Sequence, residues 1–383
     1  MRIFQVLSAQ ATGGVGLSQI WLRNLYEPLV DMGYDVLLFR AEEGAQAKAR
    51  RAATIRAAFS HKLLDAFRRE HARKSFDLFF AYLMDGMIEP GAIDEIRKLG
   101  VPTCNFSCNN THQFDLVDEL SPHFDYSLHS EKDSTAKFRA IGANPIWFPM
   151  AANPQYYHPY DVPRALDVTF VGQKYARRPY YIWHLLENGI DVQVYGPGWR
   201  LSGDGGHHRG LLRQGRRLQM ALRALVASSL DTKAKWSARL AWLDFGERLR
   251  VRYDANMHPP LSDEEMIRKY SESKISLGFL EVYDEHNPAA TVKQHLHLRD
   301  FEGPMCGALY LTGYCEELAE FYEPDAEVLV YMNEHEMLDK VRYYLSHLQD
   351  AERVRRAGQK RAVGCHTYQR RFQDLFTRIG VQG

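Results

Sequence analysis

Two charged side chains in the stretch 298–311 have the types and the spacing to bind a nucleotide. Arg299 and Glu302 would share one face of a short helix. A guanidinium suits the fork of a phosphate, and a carboxylate suits the paired hydroxyls of a ribose. A surface ion pair near a helix end would have the same sequence, so these two residues alone do not distinguish the two interpretations.

The same stretch predicts a helix, a turn and a buried strand. Gly307 fits the left-handed position that ends a helix. The apolar residues 308–311 then fit the next strand of a parallel sheet. Helix starts and tight turns at the carboxyl edge of such a sheet commonly bind phosphates and riboses. We therefore count Gly307 among the binding residues.

Length and composition indicate two domains and no unusual chemistry. A chain of 383 residues exceeds one ordinary core, and 45% hydrophobic with 25% charged residues is typical of globular proteins. Lys plus Arg number 48, as do Asp plus Glu, so the overall charge does not favour nucleic acid as a partner. The five cysteines lack zinc-site spacing, which predicts reduced thiols in the cytoplasm. We find no signal peptide and no apolar run of the ~20 residues that span a bilayer.

The first 150 residues predict an α/β domain. Residues 2–8 form a buried strand, and a glycine-rich loop containing Gly14 leads into a helix over 17–32. This loop lacks the spacing of a dinucleotide fingerprint or a P-loop, but its glycines allow close approach of the backbone to a ligand. A tight turn without a ligand is the alternative. Later elements are one or two helices in 41–75, strands at 34–39, 77–83, 101–106, 124–128 and 145–148, and helices at 92–99 and 131–141.

A polar loop, 107–112, follows the predicted strand 101–106. Because sites form at the carboxyl ends of parallel strands, His112 is the acid–base or hydrogen-bonding candidate of this domain. A histidine that is merely solvated is the alternative.

A second α/β domain follows a linker at 151–165 and extends over 166–365. Its strand 167–172 ends in the turn at Gly172, and a helix over 179–188 and a strand over 190–195 follow. Arg178 stands at the helix entrance, where its charge and the helix N-terminus both favour an anion. We expect Arg177 to be its solvated neighbour. Residues 366–383 predict a final helix that returns to the first domain.

A helical insertion at about 200–255 interrupts the second domain. Within it, the segment 209–252 is rich in arginine, with interleaved leucines and tryptophans; we call it the basic segment. Such a helix can lie on an anionic membrane at its inner face. It could equally dock on an acceptor or a partner, or pack on its own domain with a solvated basic face. No nucleic-acid recognition motif accompanies the charge.

The motif of Arg299, Phe301 and Glu302, with the Cys-Gly-Ala-Leu run 306–309, resembles the nucleotide-sugar half of GT-B glycosyltransferases. The variant is that of spore-maturation (CgeB-like) proteins. The runs 316–318 and 321–324 and the tail 366–372 are similar to the same domain, so the resemblance covers about 166–378.

The resemblance implies two Rossmann-like domains that face a cleft, and transfer of a sugar from a nucleotide diphosphate to a glycan, lipid-linked or protein acceptor. It favours retention at the anomeric carbon. Arg178, Arg299 and the glycine turns would stabilise the leaving diphosphate. The sequence has no Asp-x-Asp motif near a strand end, so we expect neither a divalent metal nor another cofactor. In the family two glutamates flank this helix. Glu302 matches the second of them, which binds the donor ribose, and Gln294 stands in the place of the first. His258 would lie near the nucleobase.

Two other functions remain open from the sequence. A GT-B nucleotide-sugar epimerase would share the fold and pocket, although no clear pair of acid–base carboxylates is visible. A degenerate GT-B protein that serves as a binding or scaffold component is the other, and Gln294 is the residue that favours it.

Overall fold

The structure, a computed structural model, describes residues 1–8, 19–41, 53–200, 244–282 and 292–381, together with 218, 222 and 236–237. This part of the chain divides into two compact units. Unit 1 contains the described residues up to Tyr156 and from Gly364 onward, and unit 2 contains those of Tyr157–Val363. Gly14 and most of the basic segment lie outside the described residues, so the predictions made for them stay predictions.

Unit 1 is built on six parallel strands: β1 (Arg2–Ser8), β2 (Asp35–Ala41), β3 (Leu78–Tyr82), β4 (Thr103–Ser107), β5 (Tyr126–His129) and β6 (Pro145–Trp147). Their order is β2-β1-β3-β4-β5-β6, that of flavodoxin-like folds with one strand added. The strands form where the sequence is continuously apolar, because a parallel sheet is covered on both faces. The six strands predicted at 2–8, 34–39, 77–83, 101–106, 124–128 and 145–148 are confirmed within a few residues.

The helices of unit 1 differ from the prediction in two places. In the predicted helix 17–32, the described part contains a π-helix at Leu22–Tyr26, and Gln5 Nε2 donates a 2.9 Å hydrogen bond to the Leu25 carbonyl within it. The predicted helix 131–141 begins only at Thr135, after a 3₁₀ turn. The bounds are α1 (Glu27–Asp31), α2 (Ala53–Arg73), α3 (Pro90–Arg97) and α4 (Thr135–Ala140), with 3₁₀ turns at Phe114–Leu116, Ser121–His123 and Lys132–Ser134.

Unit 2 has a second parallel sheet and a short hairpin. The strands are β7 (Leu166–Val171), β8 (Val192–Tyr195), β9 (Met257–His258), β10 (Ser273–Leu277), β11 (Glu281–Val282), β12 (Lys293–Gln294), β13 (Tyr310–Gly313) and β14 (Leu329–Tyr331). β11 and β12 form the hairpin, and the others are ordered β14-β13-β10-β7-β8-β9, as in dinucleotide-binding Rossmann folds. The chain reverses direction across the sheet between β7 and β10. Folds of this kind bind ligands at that switch point, outside the carboxyl ends of the strands.

The helices of unit 2 connect these strands: α5 (Arg178–Glu187), α6 (Asp263–Glu272), α7 (Arg299–Met305), α8 (Glu334–Ser346) and α9 (Leu348–Cys365), with 3₁₀ turns at Asp254–Asn256 and Glu316–Glu320 and further helix at 244–252. Ser262 is the N-cap of α6. Ser262 Oγ accepts the Glu265 N–H at 3.2 Å, and the Glu265 carboxylate accepts the Ser262 N–H at 2.7 Å. This capping box fixes where α6 begins.

The last helix, α10 (Tyr368–Ile379), packs within unit 1. The Phe372 ring lies 5.5 Å from both Phe80 and Phe148, which come from the sheet and its end. Gly380, at a φ of 72°, then ends the helix in the left-handed conformation that glycine adopts without strain. The chain thus completes unit 1 only after it has built unit 2.

Candidate functional site

Arg178 lies across the switch point of unit 2. It is the first residue of α5, and its guanidinium donates to the Gln173 carbonyl at 3.1 Å and to the Phe279 carbonyl at 3.4 Å. These acceptors follow β7 and β10, the two strands on either side of the reversal. The guanidinium also lies 5.5 Å above the Phe170 ring. Its position is therefore fixed by main-chain carbonyls and an aromatic face.

Arg178 forms no ion pair within the described residues, although the charges of Glu281 and Asp300 act on it from farther away. No carboxylate pairs with it there, and its buried Nε finds no hydrogen-bond acceptor. Burial lowers the pKa of this guanidinium, which records the cost of holding the charge away from water. The N-terminus of α5 adds its own positive end. A bound anion would satisfy all of these groups at once.

Asp300 is a buried acid beside this arginine, and the sequence interpretation missed it. It is 1% exposed, and its carboxylate accepts the His297 N–H at 2.7 Å and the Thr312 hydroxyl at 3.1 Å. Burial raises its pKa to about 6, although the Arg178 charge acts in the opposite direction. The sequence did offer a signal for Asp300: it lies between Arg299 and Glu302 on α7, at a position that faces the sheet.

Gly278, directly after β10, allows this cluster to close. A Cβ on Gly278 would lie 2.6 Å from the hydroxyl oxygens of Thr312 and Tyr310, well inside contact distance. The Gly278 carbonyl accepts the Tyr331 hydroxyl at 3.1 Å. Glycine is therefore required here for close approach of side chains from β13 and β14.

Arg177 is not the solvated residue that we predicted. Its Nε donates to both carboxylate oxygens of Glu281, at 2.8 and 3.0 Å, and its Nη2 also contacts that carboxylate. Glu281 is 6% exposed, and the Tyr181 hydroxyl donates to it at 3.4 Å. The prediction was wrong because Glu281 lies far along the chain, at the base of the β11–β12 hairpin.

Gln294 lies on the other strand of that hairpin, in register with Glu281. Its side chain is exposed, and its Oε1 is 3.7 Å from the place of a Cβ on Gly313, at the carboxyl end of β13. Gln294 therefore stands at the same edge of the sheet as Arg178. The residues that join the two strands, 283–291, lie outside the described part.

Arg299 and Glu302 form an ion pair along α7. Glu302 is 0% exposed, whereas the Arg299 side chain is 32% exposed. Burial disfavours the charge of Arg299, but the Glu302 carboxylate outweighs it and raises the pKa of the guanidinium. Burial, followed by the nearby Glu302 charge, raises the pKa of Tyr157. The pair is partly enclosed, and the arginine is its exposed member.

Gly172 keeps both of its main-chain polar groups within the protein. Its N–H donates to the Tyr195 carbonyl at 2.9 Å, and its carbonyl accepts the Trp199 indole N–H at 2.7 Å. A Cβ at this position would lie 2.6 Å from the Phe170 ring. Gly172 thus shapes the turn before Arg178, and its own N–H is not available to a ligand.

His258 and Gly307 lie in different places. His258 ends β9 at the carboxyl edge, with Nε2 2.7 Å from Gln193 Oε1 and its ring stacked 4.6 Å from Tyr195; burial lowers its pKa. Gly307, at a φ of 71°, ends α7 just before β13 begins, with Pro159 3.3 Å from the place of a Cβ. Gly307 is therefore at the amino edge, where it ends a helix, and we withdraw it from the binding residues.

His112 belongs to unit 1, in the loop after β4. Glu131 fixes this loop, because its carboxylate accepts the N–H groups of Asn109 and Asn110 at 2.6 and 3.0 Å. Lys137 adds a hydrogen bond to the Asn110 carbonyl at 3.0 Å. The half-buried His112 follows, its N–H donating to the Asn109 carbonyl at 3.2 Å. His112 thus lies at a carboxyl edge, as predicted from the strand pattern.

The described end of the basic segment packs on its own domain. The Arg248 guanidinium lies 6.0 Å above the Trp183 ring, and Arg252 donates to Glu187 at 3.1 Å. Both partners belong to α5. This favours the packed insertion over membrane contact for the helix at 244–252.

The described residues contain neither a metal-binding cluster nor a membrane-spanning helix. No three His, Cys, Asp or Glu side chains within the described ranges could together hold a metal ion. Among the helices described, none combines the length and the apolar character needed to cross a membrane.

Comparison with known proteins shows the fold. Residues 208–377 match the family model described as glycosyl transferase-like. A search of curated protein sequences found no match. Solved structures match over the whole chain at low identity, so they inform on architecture alone.

Three of these structures have a TM-score of 0.59. One is sucrose-phosphate synthase from Thermosynechococcus elongatus, at 11% identity over 99% of this chain and 98% of that one. A glycosyltransferase from Rickettsia africae matches at 10% identity over 100% and 99%. Anabaena Alr3699/HepE, in complex with UDP-glucose, matches at 10% identity over 100% of both chains. The chain has the two Rossmann-like domains of the GT-B fold.

Proposed function

We propose that this protein is a glycosyltransferase that moves a sugar from a nucleoside-diphosphate donor to a glycan, lipid-linked or protein acceptor. The observation that carries the proposal is Arg178, a guanidinium that forms no ion pair in the described structure, at a helix N-terminus and at the switch point of a Rossmann sheet. The match of residues 208–377 to the glycosyl transferase-like family supports it. The UDP-glucose bound to Alr3699/HepE indicates the class of donor.

The proposed chemistry needs stabilisation of a leaving diphosphate. Negative charge grows on the diphosphate as the glycosidic bond to the nucleotide breaks, and fixed positive groups lower the barrier most when they are already in place. Arg178, the N-terminus of α5 and the exposed part of Arg299 supply that charge.

Three further features belong to this proposal. Donor binding does not require a divalent metal, because arginines neutralise the diphosphate. The sugar is transferred with retention, as the resemblance of the 299–302 motif implies. His258 lies nearest the nucleobase, and His112 of unit 1 is the acid–base candidate toward the acceptor.

A thermal-shift screen against UDP, GDP, ADP, CMP and dTDP, with magnesium or with EDTA, tests the proposal. A ligand at ~100 times its dissociation constant adds roughly 2.7 kcal/mol, which is easily measured. We expect one nucleoside diphosphate to stabilise the wild type in EDTA, and its sugar conjugate to be consumed when acceptors are supplied. Nucleotide binding without turnover on any acceptor would favour the scaffold function, and no binding would refute the site.

A further inference from the structure

Asp300 is a buried acid that pairs with no cation within the described ranges of the chain. It is 1% exposed, and its carboxylate accepts the His297 N–H at 2.7 Å and the Thr312 hydroxyl at 3.1 Å. Both donors are uncharged, since one is a main-chain N–H and the other a hydroxyl. A buried carboxylate is costly to ionise without a positive partner. Asp300 therefore holds a proton more readily than an exposed aspartate does.

Asp300 and Arg178 lie around the same strand end, that of β10. Thr312, which donates to Asp300, has its Oγ1 2.6 Å from the place of a Cβ on Gly278, the residue that follows β10. Arg178 donates to the carbonyl of the next residue, Phe279, at 3.4 Å. Burial raises the pKa of Asp300 to about 6, and the Arg178 charge acts against this increase. The two opposite charges are thus coupled although they form no ion pair.

Titratable and charged groups approach Asp300 from several elements. Burial raises the pKa of three of these groups, which therefore stay protonated at neutral pH: Tyr270 of α6, Tyr310 of β13 and Cys315 after β13. Arg299 and Glu302, which flank Asp300 in α7, pair with each other. The loop before α7 carries His295 and His297, whose rings lie 4.5 Å apart. Among the described residues of this cluster, Asp300 is therefore the carboxyl that has no cationic partner.

We infer that binding of the donor diphosphate is linked to protonation of Asp300, so that the protein takes up a proton from solvent when the nucleotide binds. The inference rests on the proposed function. Ionised Asp300 weakens the positive potential at Arg178 and repels the phosphates, whereas the neutral carboxyl does neither. Phosphate binding and protonation must then favour each other by the same factor. The affinity should be highest below about pH 6 and should fall as the pH rises through that value, because the free protein then loses the proton.

Isothermal titration of the nucleoside diphosphate that binds the wild type, at pH 5.5, 6.5 and 7.5 in EDTA, tests this on the wild type and Asp300→Asn. Asparagine cannot ionise, so it represents the neutral carboxyl at every pH. The terminal phosphate of the ligand also titrates in this range, but it does so for both proteins, and the ratio of their affinities removes its contribution. We expect Asp300→Asn to match the wild type within about twofold at pH 5.5 and to bind at least about fivefold more tightly at pH 7.5. A ratio that stays constant with pH would overturn the inference.

Proton uptake is a second readout of the same link. Titrations at pH 7 in two buffers of different ionisation enthalpy count the protons that bind with the ligand. The wild type should take up more protons than Asp300→Asn does. A purely structural role of Asp300 would change the affinity but not this number.

Two further variants keep the outcomes separate. Thr312→Val removes the hydrogen bond that favours the ionised carboxylate, so the fall in affinity should move to higher pH. This variant replaces Asp300→Asn if the latter does not fold, and an unmoved fall would also overturn the inference. Asp161→Asn changes an exposed acid of unit 2 and should keep the wild-type pH profile. Absence of nucleotide binding by the wild type would refute the proposed function itself, whereas binding with the same pH dependence in Asp300→Asn would refute only the role of Asp300.

Discussion

Replacement of Asp300 by asparagine should change how stability depends on pH. Asp300 is 1% exposed, and burial raises the pKa of its carboxyl from 3.8 to about 6. Because the pKa is higher in the folded state, the folded protein holds a proton that the unfolded chain releases between these values. The contribution of Asp300 to stability is therefore present below about pH 4 and is lost as the pH rises through about 6.

The size of this effect follows from the two pKa values. A difference of about two pKa units corresponds to about 3 kcal/mol of unfolding free energy. Asparagine keeps one oxygen, which can accept the His297 N–H in place of Oδ2, while its amide NH2 can donate to the Thr312 hydroxyl in place of Oδ1, and it cannot ionise. As the pH rises from 4 to 7, the free energy of unfolding of Asp300→Asn should increase by about 3 kcal/mol relative to that of the wild type. For a unit of roughly 200 residues, this corresponds to a melting-temperature difference of about 6–12 °C.

The assay is urea unfolding and thermal melting of both proteins at several pH values from 4 to 7, followed by tryptophan fluorescence. Asp161→Asn, which changes an exposed acid of the same unit, is the matched control and should follow the wild type throughout. Parallel stability curves for the wild type and Asp300→Asn would show that Asp300 is not held as a buried acid, and would refute the reasoning.

Three other changes test the packing around the site. Arg177→Met should lower the free energy of unfolding by about 3–5 kcal/mol, because it leaves Glu281 buried without its partner. The double variant Arg177→Met/Glu281→Met should recover most of that loss in urea unfolding, and a double variant as unstable as the single one would contradict this. Gly278→Ala should cost about 1–3 kcal/mol because its Cβ would lie 2.6 Å from two hydroxyl oxygens, whereas Gly91→Ala, in open space, should not destabilise. Asn333→Ala should cost about 1 kcal/mol by removing the N-cap of α8, and an unchanged melting temperature would argue against that cap.

The sequence was most informative where local pattern decides the structure. Continuous apolar runs predicted strands such as β1 and β7, and Gly307, at positive φ, ends α7 as the sequence predicted. Arg178 could be placed at a helix entrance because the strand, glycine turn and helix are consecutive in the chain. The position of Arg178 could therefore be predicted from residues that are close to it in the chain.

Long-range contacts could not be predicted in this way. Glu281 meets Arg177 across the switch point, and nothing in the sequence around either residue indicates the other. The π-helix at Leu22–Tyr26 could not be predicted either. Its Leu25 carbonyl accepts a hydrogen bond from Gln5, which lies on β1. Glu302 acts on Tyr157, whose pKa is raised by burial and then by the Glu302 charge, and the two residues are far apart in the sequence.

The central claim is that Arg178 binds the diphosphate of a nucleotide. Isothermal titration of the best nucleoside diphosphate from the screen, in EDTA, against wild type, Arg178→Gln and the surface control Arg353→Gln tests it most directly. The account predicts that Arg178→Gln lowers the affinity for the diphosphate more than tenfold but lowers the affinity for the matching nucleoside by less than twofold. Arg353→Gln should change neither affinity. Equal affinity of the wild type and Arg178→Gln for the diphosphate would contradict it.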